Sequence, residues 1–156
     1  MIYVFDNSSI SRLKHFFPTV FEGMWSELNA FAENGSIIST REVQNELKRG
    51  AANPIIDAWI EKNKHIFIIP TQDELLFVRE ILAHKAFKSS IGTKQTMAGS
   101  PVADPFIVAL AKIKNGTVVT EEKYKANSGK IPTICAHFKI QCLNLEEFFQ
   151  AHNFKY

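Results

Sequence analysis

The opening run of this chain, Ile2-Tyr3-Val4-Phe5, is apolar at every position and stops abruptly at Asp6-Asn7-Ser8-Ser9. A strand with one wet face alternates apolar and polar residues. One that is apolar throughout needs cover on both faces, as in the central strand of a parallel sheet. Four further strand-like runs follow, at 36–39, 66–69, 117–120 and 140–143, and the segments between them carry helical signals. Val20, Met24, Leu28 and Phe31 share a stripe that ends at Asn34-Gly35, and Val43 and Leu47 share a face before Gly50. Asn53-Pro54 starts a helix that turns Ile56, Trp59 and Ile60 inward. Strands alternating with helices predict an α/β fold with a central parallel sheet of about five strands.

The remaining boundaries follow from capping chemistry. Ser8 or Ser9 can cap a first helix through Phe17, which Pro18 interrupts, and Thr71-Gln-Asp-Glu74 reads as a capping box opening a helix to about Phe87. Pro105 suits the first turn of a helix over 104–114, Ile131-Pro132 opens a short helix to Phe138, and Asn144 caps a last one. The stretch 88–101, rich in Ser, Thr and Gly, reads as a loop. No internal repeat or linker interrupts the pattern, so residues 1–156 are expected to form one domain.

Composition excludes several classes. The chain has 156 residues, 46% of them hydrophobic and 22% charged, which is ordinary for a packed domain and wrong for disorder. A formal charge of +2 is far from that of a dedicated electrostatic nucleic-acid binder. The two cysteines, Cys135 and Cys142, form no CxxC, and the five histidines show no paired metal spacing, so neither a disulfide scaffold nor a structural zinc site is expected. The apolar start is too short for a signal peptide or a membrane span, which leads to an expected cytoplasmic location and no membrane partner.

In an open parallel sheet, ligands bind outside the carboxyl ends of the strands. The acids this order delivers there are Asp6 after strand 1, Glu42 and Glu46 one turn apart after strand 2, Asp104 on the helix entering strand 4, and Glu121 and Glu122 after it. Gathered carboxylates raise one another's pKa, and a hard divalent cation with oxygen ligands relieves the repulsion. Each acid also has a structural reading: Asp6 as a helix cap, Glu46 as a solvated helix residue, Asp104 as a dipole-complementing first-turn acid.

Four pieces occur in a telling order: Val4-Phe5-Asp6-Asn7-Ser8, then Glu46-Leu47 with Gly50, then Ala103-Asp104-Pro105 continuing to Ala111, then Val118-Val119-Thr120-Glu121-Glu122. Together they resemble the PIN-domain nuclease superfamily, and the tail from Lys130 to Leu145 is similar to that of an uncharacterised prokaryotic PIN-like branch. The resemblance implies a three-layer α/β/α fold and Mg2+- or Mn2+-dependent endoribonuclease activity. It makes Asp6, Glu46, Asp104 and Glu122 the catalytic and metal-ligating set. Ser8 and Asn7 would support the first acid, Thr120 would orient the fourth-strand turn, and Glu121 and Glu42 are spare acids. It further implies an RNA substrate, an antitoxin partner for those relatives that are toxins, and a homodimer.

One departure stands out: the family pattern after strand 4 is Thr-x-Asp, whereas this chain has Glu122 at that place. Lys94, Lys123 and Lys125 could neutralise phosphates, and Tyr124 could stack on a base. A haloacid-dehalogenase phosphatase would need an Asp where Ser8 stands, and a receiver domain would need one after strand 3; neither is present, nor is a Walker loop or GxGxxG. A non-catalytic PIN-like module binding RNA or protein is the alternative.

Overall fold

The computed structural model describes residues 1–98 and 102–155, with backbone alone over 94–98. Five parallel strands form one sheet: β1 (Tyr3–Phe5), β2 (Ile37–Thr40), β3 (Phe67–Ile68), β4 (Thr117–Val119) and β5 (Cys142–Leu143), in the order β3-β2-β1-β4-β5. The fully apolar β1 is central, and all three of its residues are buried. The chain builds outward through β2 and β3, then returns to the other side of β1 for β4. The direction of winding therefore reverses between β1 and β4, which opens a crevice at their carboxyl ends.

The helices are α1 (Asn7–Arg12), α2 (Glu22–Glu33), α3 (Arg41–Arg49), α4 (Pro54–Lys62), α5 (Gln72–Ala83), α6 (Lys85–Ala98), α7 (Asp104–Lys114), α8 (Ile131–His137) and α9 (Leu145–Ala151). Tyr3 and Phe5 lie on one face of β1, where Phe148 of α9 meets both edge-on at 4.9 and 5.1 Å. Phe31 of α2 extends that cluster at 5.8 Å from Phe148. Alternation sends Val4 to the opposite face, where α7 crosses β1, β2 and β4 with Ile107, Val108 and Leu110 fully buried. Helices on both faces give the expected three layers. No helix among the described residues is long and apolar enough to cross a membrane.

Several local expectations need correction. Asp6, rather than Ser8 or Ser9, caps the first helix, which ends at Arg12 and passes into a 3-10 turn over Leu13–His15. Val20 is 63% exposed and precedes α2 instead of joining its buried stripe. Only half of the capping box at α5 forms: Thr71 Oγ1 accepts from Glu74 N at 3.3 Å, but the Glu74 side chain turns inward. Most notably, 85–98 is helical where a loop is expected over 88–101, of which 99–101 lie outside the described residues. Phe87 and Ile91, one turn apart, are both buried, and Thr93 Oγ1 donates to Ser89 O at 3.1 Å within the helix. Tertiary packing here outweighs the weak helix propensity of Ser, Thr and Gly.

Phe148 joins the two outer helices of one layer to the central strand and is 0% exposed. Phe148→Ala is expected to cost about 3–5 kcal/mol of stability, the usual range for emptying an aromatic site. Urea unfolding with an unchanged m-value measures it.

Candidate functional site

Asp6, only 4% exposed, follows β1 at the carboxyl ends of β1 and β4, where the winding reverses. Its backbone continues the sheet, with Asp6 N donating to Val119 O at 3.0 Å, and its extended conformation (φ −82°, ψ 163°) starts α1. Three donors converge on one carboxylate oxygen. Asp6 Oδ2 accepts from Ser8 N at 3.3 Å, from Ser8 Oγ at 2.7 Å and from Thr120 Oγ1 at 2.9 Å. Each hydroxyl has a single proton to give, so the 3.1 Å approach of Ser8 Oγ to Thr120 Oγ1 follows from their shared acceptor.

Those hydroxyls also accept. Glu121 N donates to Ser8 Oγ at 2.9 Å and Glu122 N donates to Thr120 Oγ1 at 3.1 Å. The turn after β4 is thereby held against the start of α1, with the Asp6 carboxylate as the common anchor. Burial raises the Asp6 pKa above its ordinary 3.8. The hydrogen bonds from Ser8 and Thr120 and the Asn7 amide oppose that shift, and the nearby Glu122 charge adds to it.

The other acids serve the fold. Glu46 Oε2 accepts from Asn7 Nδ2 at 3.0 Å, and its Oε1 accepts from Ala103 N at 2.9 Å. Asn7 follows Asp6, and Ala103 precedes the buried Asp104, so Glu46 links the first acid's neighbour to the third's. Glu122 Oε2 accepts from Ile131 N at 2.8 Å, and its Oε1 lies 3.7 Å from Lys130 Nζ. The extra methylene relative to Asp is used to span to the first residue of α8. Glu121 is similarly occupied, by Leu145 N at 2.8 Å and Arg12 Nε at 3.2 Å. Glu42 is buried, with Oε1 on Arg41 at 2.9 Å and Oε2 without a hydrogen bond among the described residues.

Thus Asp6, Ser8 and Thr120 form one connected network, which Glu121 and Glu122 join through their backbone N–H groups, and Asn7 and Glu46 adjoin it. The side chains of Glu121 and Glu122 reach the starts of α9 and α8, and that of Glu42 pairs with Arg41. Lys123 and Lys125 are exposed on the loop after β4, and the Lys94 side chain lies outside the described residues. Among the described residues no group of three or more His, Cys, Asp or Glu is arranged to hold a metal ion. Sequence reading missed Arg12 as a partner of Glu121, since nothing in its spacing signals a contact across the fold. It also took Glu74 for a capping acid, although Glu74 is 1% exposed with neither carboxylate oxygen hydrogen-bonded among the described residues.

A buried acid with a raised folded pKa weakens the fold once it ionises. In metal-free protein the penalty is absent below the ordinary Asp value and fully present above the elevated folded one. Asp6→Asn should therefore raise the melting temperature at neutral pH, with the gain shrinking as pH falls toward 3.8. A variant less stable than the wild type at neutral pH would contradict this balance; calorimetry across pH decides it.

The architecture is similar to that of several solved structures. VapBC2 from Rickettsia felis, solved bound to a DNA fragment from their promoter, shares 15% identity over 92% of this chain and 98% of that one, with a TM-score of 0.53. VapBC-1 from nontypeable Haemophilus influenzae shares 16% over 92% and 98%, with a TM-score of 0.53. FitAcB from Neisseria gonorrhoeae shares 14% over 92% and 97%, with a TM-score of 0.50. At these identities the likeness concerns the fold, which is PIN-like. No protein of curated function matches the sequence. The model of a family described as a domain of unknown function, DUF4411, matches residues 3–156, and the chain belongs to that family.

Proposed function

We propose that the chain is a magnesium- or manganese-dependent endoribonuclease whose reaction centre lies over Asp6. The observation that supports it most is a buried carboxylate, Asp6, at the carboxyl end of the central strand, with one oxygen fixed by Ser8 and Thr120. The donor set is all oxygen, which suits a hard divalent cation. The fit is one of donor chemistry and not of a preassembled shell, because Glu46 and Glu122 are bonded to main-chain amides. Such ions commonly keep several waters and take only a few protein carboxylates. Asp6 would hold the ion, with Glu46, Asp104 and Glu122 around it directly or through water. When bound, it would supply an activated water and offset charge on a phosphodiester.

The chain's own residues have definable parts in that reading. Ser8 and Thr120 fix the Asp6 carboxylate and leave it little freedom to rotate. Asn7 orients Glu46. Lys123 and Lys125 would attract the RNA backbone without regard to sequence, in a salt-dependent way. Likeness in fold to VapBC and FitAcB supports a toxin–antitoxin setting with an antitoxin as protein partner. A second copy of the chain is proposed as a further partner, and the cytoplasm as the place of action.

The second reading, a non-catalytic RNA- or protein-binding module, draws on the same hydrogen bonds, since Glu46, Glu121 and Glu122 all accept main-chain amides. Cleavage of single-stranded RNA with Mg2+ or Mn2+ separates the two. Under the nuclease reading Asp6→Asn lowers cleavage by more than about 100-fold, and Thr120→Val lowers it by about 10–100-fold, as loss of a group orienting a ligand does. Absence of cleavage by the wild type at any concentration of either metal would favour the binding module.

A further inference from the structure

Beyond the carboxylates, the loop after β4 walls a cavity of about 350 Å³, lined by His84, Phe87, Tyr124, Asn127, Thr133 and His137 among others. Small-molecule sites span roughly 300–1,000 Å³. Part of the lining is aromatic: His84 stacks on Phe87 with ring centroids 4.0 Å apart and planes at 20°, and His137 stands edge-on to His84 at 4.8 Å. His84 Nδ1 is buried without a hydrogen-bond partner among the described residues. Tyr124 is 64% exposed. No Lys, Arg, Asp or Glu is among the described residues that line the cavity, so its chemistry suits a neutral ligand rather than a phosphate.

The wall is built in advance. Lys125 N donates to Thr133 Oγ1 at 3.1 Å, while the Thr133 and Ser128 hydroxyls donate to Lys125 O at 2.7 and 2.6 Å. A Cβ on Gly129 would lie 2.9 Å from Ser90 Cβ and 3.1 Å from Phe87 O, so the loop sits directly on α6. Asn127 takes φ +54°, a left-handed conformation that Asn tolerates better than most residues. Tyr124 and Asn127 therefore project from a fixed backbone.

We infer that this cavity is a nucleobase subsite that takes one base of a single-stranded RNA. Aromatic faces match a planar heteroaromatic ring, and the Asn127 carboxamide can both donate to and accept from a base edge. Tyr124 lies two residues after Glu122 and between the exposed Lys123 and Lys125, so one loop would present an acid, two cations for flanking phosphates and a stacking ring. The inference rests on the ribonuclease reading and adds a base preference, set by Asn127 and the two imidazoles.

The test uses the metal-free wild type and each of the four nucleoside 5′-monophosphates, with the His84 and His137 ring signals followed by NMR. At least one nucleotide shifts both rings, Tyr124→Ala weakens that binding by about tenfold, the scale of one base–aromatic stack, and Asn127→Asp changes which base is preferred. The subsite is overturned if no nucleotide moves either ring, if ribose 5-phosphate moves them equally, or if binding survives Tyr124→Ala unchanged. Nucleotide binding by a wild type that cleaves no RNA would uphold the subsite and overturn the nuclease reading.

Discussion

A single carboxylate oxygen, Asp6 Oδ2, ties three parts of this fold together. The Ser8 donors bring it the start of α1, and Thr120 brings it the end of β4. Because winding reverses between β1 and β4, no connection in the chain itself closes the crevice there. The hydrogen bonds on Asp6 do so instead. Burial disfavours the charge that makes these bonds strongest, and Glu122 adds to the strain. A buried acid held between such opposing effects is a candidate for a functional site as well as a structural one.

The surrounding acids follow a common pattern. Glu46 accepts an amide at the start of α7, Glu122 one at the start of α8, and Glu121 one at the start of α9. Asp6 does the same for α1. The carboxyl edge of the sheet is therefore a place where helix N-termini and carboxylates gather together. Unpaired N–H groups and the positive ends of helix dipoles favour negative charge. Together with the Arg12–Glu121 and Lys130–Glu122 ion pairs, this explains how several acids coexist at one edge of the sheet, and why their structural and functional readings are not exclusive.

Much of this was legible in the sequence, for reasons that differ by element. The all-apolar β1 predicted a buried central strand, and Asn144 caps α9 as expected, with Oδ1 accepting from Glu147 N at 2.8 Å. Pro54 and Pro105 mark the first turns of α4 and α7 as expected. Strand-end acids could be named because a parallel sheet sends its loops to one edge. The failures came where distant packing decides. Helix α6 depends on Phe87 and Ile91 meeting the rest of the core, against the preference of its own Ser, Thr and Gly residues. Glu74 occupies the capping-box position but faces inward. The reach of Glu122 to Ile131 depends on where α8 starts relative to β4, which no local pattern encodes.

The central claim is that Asp6 is the seat of a divalent cation. A crystal soaked in Mn2+ and measured at the manganese absorption edge tests it most directly. The account predicts an anomalous peak against the Asp6 carboxylate, with Glu46, Asp104 or Glu122 joined to it directly or through water. Crystals that diffract well and show no manganese in the β1–β4 crevice, or show it only at other acids, would contradict it.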